Sequence, residues 1–138
     1  MRFLLDTNVL SEPAKPEPNP GVMERLRRHG GEVCTAALVW NELWFGCRRL
    51  PHSKRRRILS RYLAEHLEPS LLILPYDAAA ARWHAGERAR LGRVGRTPAF
   101  VDGQIAAVAQ VNGLTLVTGN VSDYRVFEGL EIVDWTAE

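Results

Sequence analysis

Cysteine is scarce in this sequence: Cys34 and Cys47 are the only two in 138 residues. They lack C-x-x-C spacing and sit among apolar neighbours, where a reduced, packed thiol is the usual state. Lysine is equally rare, with Lys15 and Lys54 alone. A receiver-type domain needs a lysine near its last strands, and none follows Lys54. No apolar run approaches the roughly 18 residues of a membrane span, so no membrane partner is expected. The opening MRFLLDTNV is too short and too soon acidic for a secretory leader, which predicts a cytoplasmic chain. Neither the dinucleotide-binding G-x-G-x-x-G nor a P-loop occurs, leaving a nucleotide-cofactor fold without support.

Hydrophobic residues make up 46% of the chain and charged residues 25%, ordinary globular usage that argues against disorder, a coiled coil and a collagen-like fibre. A chain of this length is expected to form one domain, residues 1–138, around one core. The net charge is only +2, but sixteen of the eighteen basic residues are arginines, whose planar fork suits phosphate. They cluster in RLRRHG (25–30), CRRLPHSKRRRILSR (47–61) and GERARLGRVGR (86–96). One such cluster is ordinarily a solvated helix face; three in so small a chain make a nucleic-acid-facing surface worth pursuing.

Short apolar runs with strand character lie at Phe3 to Leu5, Val33 to Thr35, Leu71 to Leu74, Thr115 to Val117 and Glu131 to Val133. Helical stretches separate them. Pro20 fits a helix start and the Gly30–Gly31 pair its end. AALVWNELWFGCRR follows the second run almost without a loop, and Pro51 divides it from HSKRRRILSRYLAEHL. Asp77 fits the cap of an Ala-rich helix, and Thr97, Pro98 and Gly113 fit the cap, first turn and end of the next. Strand–helix alternation of this kind predicts an α/β fold with a parallel sheet and helices on both faces. The proline-rich stretch SEPAKPEPNPG, residues 11–21, reads as a stiff loop.

Four acids stand out against this frame. Asp6 leaves the first strand directly, at the rim where ligands bind in open parallel sheets, although capping the next turn would also account for it. Glu42 shares a helix face with Leu38, Val39 and Phe45, so a carboxylate interrupts an apolar stripe. Asp102 stands above Ile105, Ala106 and Ala109 on the side that should face the core, where the helix dipole alone favours an acid only modestly. Asn120 and Asp123 follow the fourth strand and resemble a capping box, yet they share the rim with Asp6.

Carboxylates converging at one rim would repel one another and take up protons unless a cation neutralised them. With oxygen ligands throughout and no zinc-type pair among His29, His52, His66 and His84, magnesium is favoured, with manganese possible. Surface or packing roles are expected for the histidines.

The segments LLDTNVL, WNELWFG, FVDGQIAAVA and TGNVSDY resemble, in order and separation, the four acidic motifs of PIN-domain ribonucleases. The resemblance spans nearly the whole chain and is nearest to the VapC-like toxins, including their FitB-like branch. It implies a three-layer α/β/α fold with a five-stranded parallel sheet of order 3-2-1-4-5. It also implies that Asp6, Glu42 and Asp102 are catalytic metal ligands, that Asp123 is a supporting fourth acid of the same set, and that Thr7, Asn8, Thr118 and Asn120 line the site.

The activity so implied is metal-dependent hydrolysis of an RNA phosphodiester, with Arg88, Arg90, Arg93 and Arg96 as candidates to hold flanking phosphates. An antitoxin whose C-terminal segment blocks the groove, and a homodimer, are the implied partners. Trp40 and Trp44, one turn apart, suit either interface or ordinary core packing. A haloacid-dehalogenase-type phosphatase is disfavoured, because Asn8 stands where its second aspartate belongs. The remaining alternative is a non-catalytic PIN-like module that binds RNA or protein; its mark would be missing acids, and all four motif positions are acidic.

Overall fold

A computed structural model describes residues 1–136; the domain end expected at residue 138 lies outside them. Strand β1 (Phe3–Leu5) is buried along its length, as expected of a central parallel strand covered on both faces. It leads into the single turn α1 (Thr7–Leu10), a 3₁₀ turn at Glu12–Ala14, and helix α2 (Pro20–His29). Strand β2 (Val33–Ala36) runs straight into α3 (Ala37–Arg48). Helix α4 (Lys54–Arg61), strand β3 (Leu72–Leu74) and helices α5 (Ala78–Arg93) and α6 (Phe100–Val111) follow. Strand β4 (Thr115–Val117), the short α7 (Val121–Tyr124) and β5 (Ile132–Val133) end the series.

All strand pairs are parallel, in the order β3-β2-β1-β4-β5. Both the α/β class and the expected order hold. β1 pairs Phe3 with Val33 on one side and with Thr115 on the other, so the order reverses beside the strand that ends at Asp6. The strands match the apolar runs to within one residue at their ends.

Local signals account for most helix boundaries. Asn19 accepts the Val22 amide at 3.0 Å with Pro20 in the first turn, Ser53 accepts the Arg56 amide at 3.2 Å, and Asp77 accepts the Ala80 amide at 2.9 Å. Gly113 ends α6 with φ of 66°, a conformation that favours glycine.

Two expectations fail. Thr97 does not cap α6: Ala99, with ψ of 134°, is still extended and takes the cap position, so the helix starts at Phe100, two residues later than a cap at Thr97 would place it. The helix expected through residues 52–67 changes pitch at Tyr62, where a π turn (Tyr62–Leu67) begins. Within that turn Leu63 is fully buried, and Tyr62 donates its hydroxyl to the Leu10 carbonyl at 2.8 Å.

The proline-rich stretch is fastened rather than loose. Glu12 is buried, accepts the Asn19 amide at 2.7 Å and pairs with Lys15 at 2.8 Å. The Lys15 hydrogen bond leads in holding its carboxyl below the usual range. Both cysteines are buried free thiols, and burial pushes Cys34 up to about 11. His84 is buried and His29 packs on Phe3 and Trp135, while His52 and His66 are exposed, as expected. No helix of the described residues is long and apolar enough to cross a membrane.

Candidate active site

Asp6 ends β1 and is 5% exposed, and its two carboxylate oxygens do different work. Oδ1 accepts the Thr7 amide at 2.8 Å, capping α1, while Oδ2 accepts the Thr118 hydroxyl at 2.7 Å. Capping α1 and bonding to the end of β4 therefore coexist in one side chain. Thr118 leaves β4 fully buried, and its oxygen also accepts the Asn120 amide at 3.0 Å. One hydroxyl thus links the ends of the two strands at the order reversal.

Thr7 donates its hydroxyl to Glu42 Oε2 at 2.9 Å, joining α1 to α3. Glu42 differs in setting from the sequence expectation. The buried line of α3 is Val39, Leu43 and Cys47, whereas Phe45 is 63% exposed, so Glu42 stands at the edge of the apolar stripe and not within it. The edge position puts its carboxylate into a pocket and spares it burial in the core.

Asp102 lies in the first turn of α6 over the buried Ile105, Ala106 and Ala109. It accepts the Tyr124 hydroxyl at 3.4 Å. Asp6, Glu42 and Asp102 line one pocket of about 330 Å³ with Thr7, Asn8, Asn120, Ser11, Ile105 and Tyr124. Asp123, exposed on α7, does not line this pocket but acts on it through charge. Asn8 packs on Gly119, where a Cβ would stand 2.9 Å from its amide nitrogen.

Ser11 and Tyr124 were not anticipated. Tyr124 follows Asp123 directly, and an aromatic hydroxyl beside an acid was the available signal.

The electrostatics show the crowding expected of converging acids. The Asp102 carboxyl is raised above its ordinary range, first by burial, then by the charges of Asp123 and Asp6, with Glu42 adding to them and the Tyr124 hydrogen bond opposing. Burial, followed by the charges of Asp6, Asp102 and Glu42, keeps the Tyr124 hydroxyl protonated. The pocket is therefore electronegative, lined by carboxylates and neutral oxygen and amide groups, a set that suits a hard divalent cation. Among the described residues no three His, Cys, Asp or Glu side chains stand close enough together to hold a metal ion as they are.

The four expected arginines divide. Arg90 donates to both Glu87 oxygens at 2.7 and 2.9 Å and to the Val126 carbonyl at 2.7 Å, so its fork is engaged in the fold. Arg88, Arg93 and Arg96 are exposed. Trp40 and Trp44 form an edge-on pair with centroids 6.1 Å apart, half-buried against the core.

Comparison with known proteins gives the same picture. The PIN domain family model matches residues 3–126. The chain is 32% identical over 137 residues to the tRNA(fMet)-specific endonuclease VapC of Shigella flexneri, covering 99% of each. It is 35% identical over 125 residues to Toxin FitB of Neisseria gonorrhoeae, covering 88% of this chain and 90% of that one. The solved structure of FitAcB from Neisseria gonorrhoeae superposes with a TM-score of 0.87 at 31% identity, covering 96% of this chain and 97% of that one. With its sheet order, its four acids and its similarity end to end, this chain belongs to the PIN-domain family, close to the VapC and FitB toxins.

Proposed function

We propose that this protein is a divalent-metal-dependent endoribonuclease acting in the cytoplasm as the toxin of a toxin–antitoxin pair. The observation that carries the reading is the single pocket lined by Asp6, Glu42 and Asp102, carboxylates whose mutual repulsion a cation would relieve; the raised Asp102 carboxyl agrees with it. Family membership and the names of the VapC relatives support the substrate class, and the name of the FitB relative supports the toxin role.

Asp6, Glu42 and Asp102 would hold magnesium or manganese, with Asp123 adding negative charge from α7. A bound ion of this kind supplies an activated water and charge neutralisation at a phosphodiester. The chain's own groups do the positioning. Thr118 orients Asp6, Thr7 orients Glu42, and Tyr124 donates to Asp102. Asn8, Ser11 and Asn120 present neutral donors to phosphate oxygens at the pocket mouth, where a further carboxylate would repel them. Arg88, Arg93 and Arg96 extend the anion-binding surface beyond it.

Cleavage of a labelled structured-RNA panel, with magnesium, manganese or chelator and beside Asp6→Asn, tests this reading. Metal-dependent cutting by the parent and its loss in the variant, to below about one-hundredth, is the expected result. Equal cutting by both would expose a contaminant. Folded, metal-binding protein that cuts nothing would favour the non-catalytic module. A homodimer and a cognate antitoxin whose C-terminal segment fills the groove are proposed with it; light scattering of the pure chain and of the co-expressed pair reads both.

A further inference from the structure

A second cavity, of about 270 Å³, lies between α5, the loop to α6 and Phe127, and shares no lining residue with the acid pocket. It borders both segments that furnish that pocket: Phe100 stands two residues before Asp102, and Phe127 three after Tyr124. Phe100 is 54% exposed, an aromatic ring left open to solvent at the start of a helix. It is nonetheless fixed, with the buried His84 ring edge-on at 4.8 Å and the Arg88 guanidinium over it at 4.8 Å. Among the described residues, neither Arg88 on α5 nor Arg96 in the loop after it, both lining the cavity, has a carboxylate partner, whereas Arg90 on α5 has two.

An anchored, half-open aromatic ring flanked by guanidiniums without carboxylate partners matches an anion that carries a flat ring. The cavity falls just below the roughly 300 Å³ at which pockets for drug-sized ligands begin, so it suits one base. We propose that this cavity takes the base of a nucleotide neighbouring the scissile phosphate, stacked on Phe100 in place of the Arg88 guanidinium, which turns with Arg96 to the phosphates. The inference rests on the nuclease reading and deepens it. A base can reach the ring only when it is unpaired, so the site selects single-stranded or looped RNA and tolerates base identity.

The test is anisotropy of short fluorescein-labelled oligoadenylate, oligouridylate and an RNA duplex, in chelator so that nothing is cut. Phe100→Ala is expected to weaken single-strand binding roughly ten-fold while Phe100→Trp retains it, the signature of one stacked base. Arg88→Gln should weaken it and flatten its salt dependence by about one ion. Duplex binding should not respond to either change at position 100.

Parental affinity in Phe100→Ala would overturn the proposal, as would a parent that binds no single strand. So would sedimentation showing that Phe100→Ala dissociates an oligomer, because the ring would then lie between copies. The nuclease reading fails on a different result, a folded, metal-binding parent that cuts no RNA in the panel, so the two are separable.

Discussion

Thr118 shows how much rests on one hydroxyl. It is fully buried, donates to Asp6 at 2.7 Å and accepts from the Asn120 amide at 3.0 Å, so removing it strands a carboxylate oxygen and an amide together. Thr118→Val keeps the shape and deletes both bonds. It should lower kcat or metal affinity by about 10- to 100-fold with the KM for RNA near parental, as for groups that orient metal ligands. Thr118→Ser should restore most of the loss. Steady-state kinetics across a metal titration separate these outcomes from a fold defect, which circular dichroism would reveal. Tyr124 acts differently: its hydroxyl stays protonated and donates to Asp102, so it orients the carboxylate and does not exchange protons.

Elements are joined by an ion-paired clasp that leaves the acids untouched. Glu87 on α5 is buried, accepts both Arg90 donors and takes the Glu128 amide at 2.7 Å, while Arg90 reaches the Val126 carbonyl. This ties α5 to the segment after α7, and so steadies the turn that carries Asp123 and Tyr124. The Arg90 hydrogen bond, then the Glu128 amide and the Arg90 charge, hold the Glu87 carboxyl below its ordinary range against its own burial. A depressed carboxylate stabilises the fold fully above its unfolded value of 4.5, and that contribution is lost as pH falls through the folded value. Glu87→Gln should therefore melt a few °C lower than the parent at neutral pH, with the gap closing on acidification below about 4.5. A gap independent of pH would assign the effect to hydrogen bonding alone.

For the whole molecule, the site is a source of strain within a conventional apolar core. Asp102 is raised, so ionising it in the folded state opposes stability, and this penalty appears as pH climbs above the unfolded value of 3.8. Asp102→Asn in chelator should consequently melt higher than the parent at neutral pH, by on the order of 3 °C, with the advantage shrinking toward acid. Magnesium or manganese should raise the parent's melting temperature and leave Asp102→Asn nearly unmoved. Scanning fluorimetry with and without metal checks both. A variant that is more stable and inactive is the expected trade where function gathers like charges.

Chain-local chemistry was readable without coordinates because it acts within a few residues. Pro20 at a helix start, Asp77 as a cap, Gly113 at a helix end and the apolar strand of Phe3 to Leu5 all fall where short-range rules put them. Asp6, Glu42 and Asp102 were legible as acids set against apolar surroundings, and the motif resemblance supplied the sheet order. Long-range pairing was not legible. Thr118 meets Asp6 across 112 positions and Glu42 meets Thr7 across 35, and no periodicity encodes such partners. The same limit hid the commitment of Arg90 to Glu87 and Val126, the exposure of Phe45 and the site role of Tyr124. Composition and pattern settle which side chains are charged, apolar or turn-forming. Which carboxylates face one another, which hydroxyl orients each, and which arginines stay uncommitted follow only when the strand ends are brought side by side.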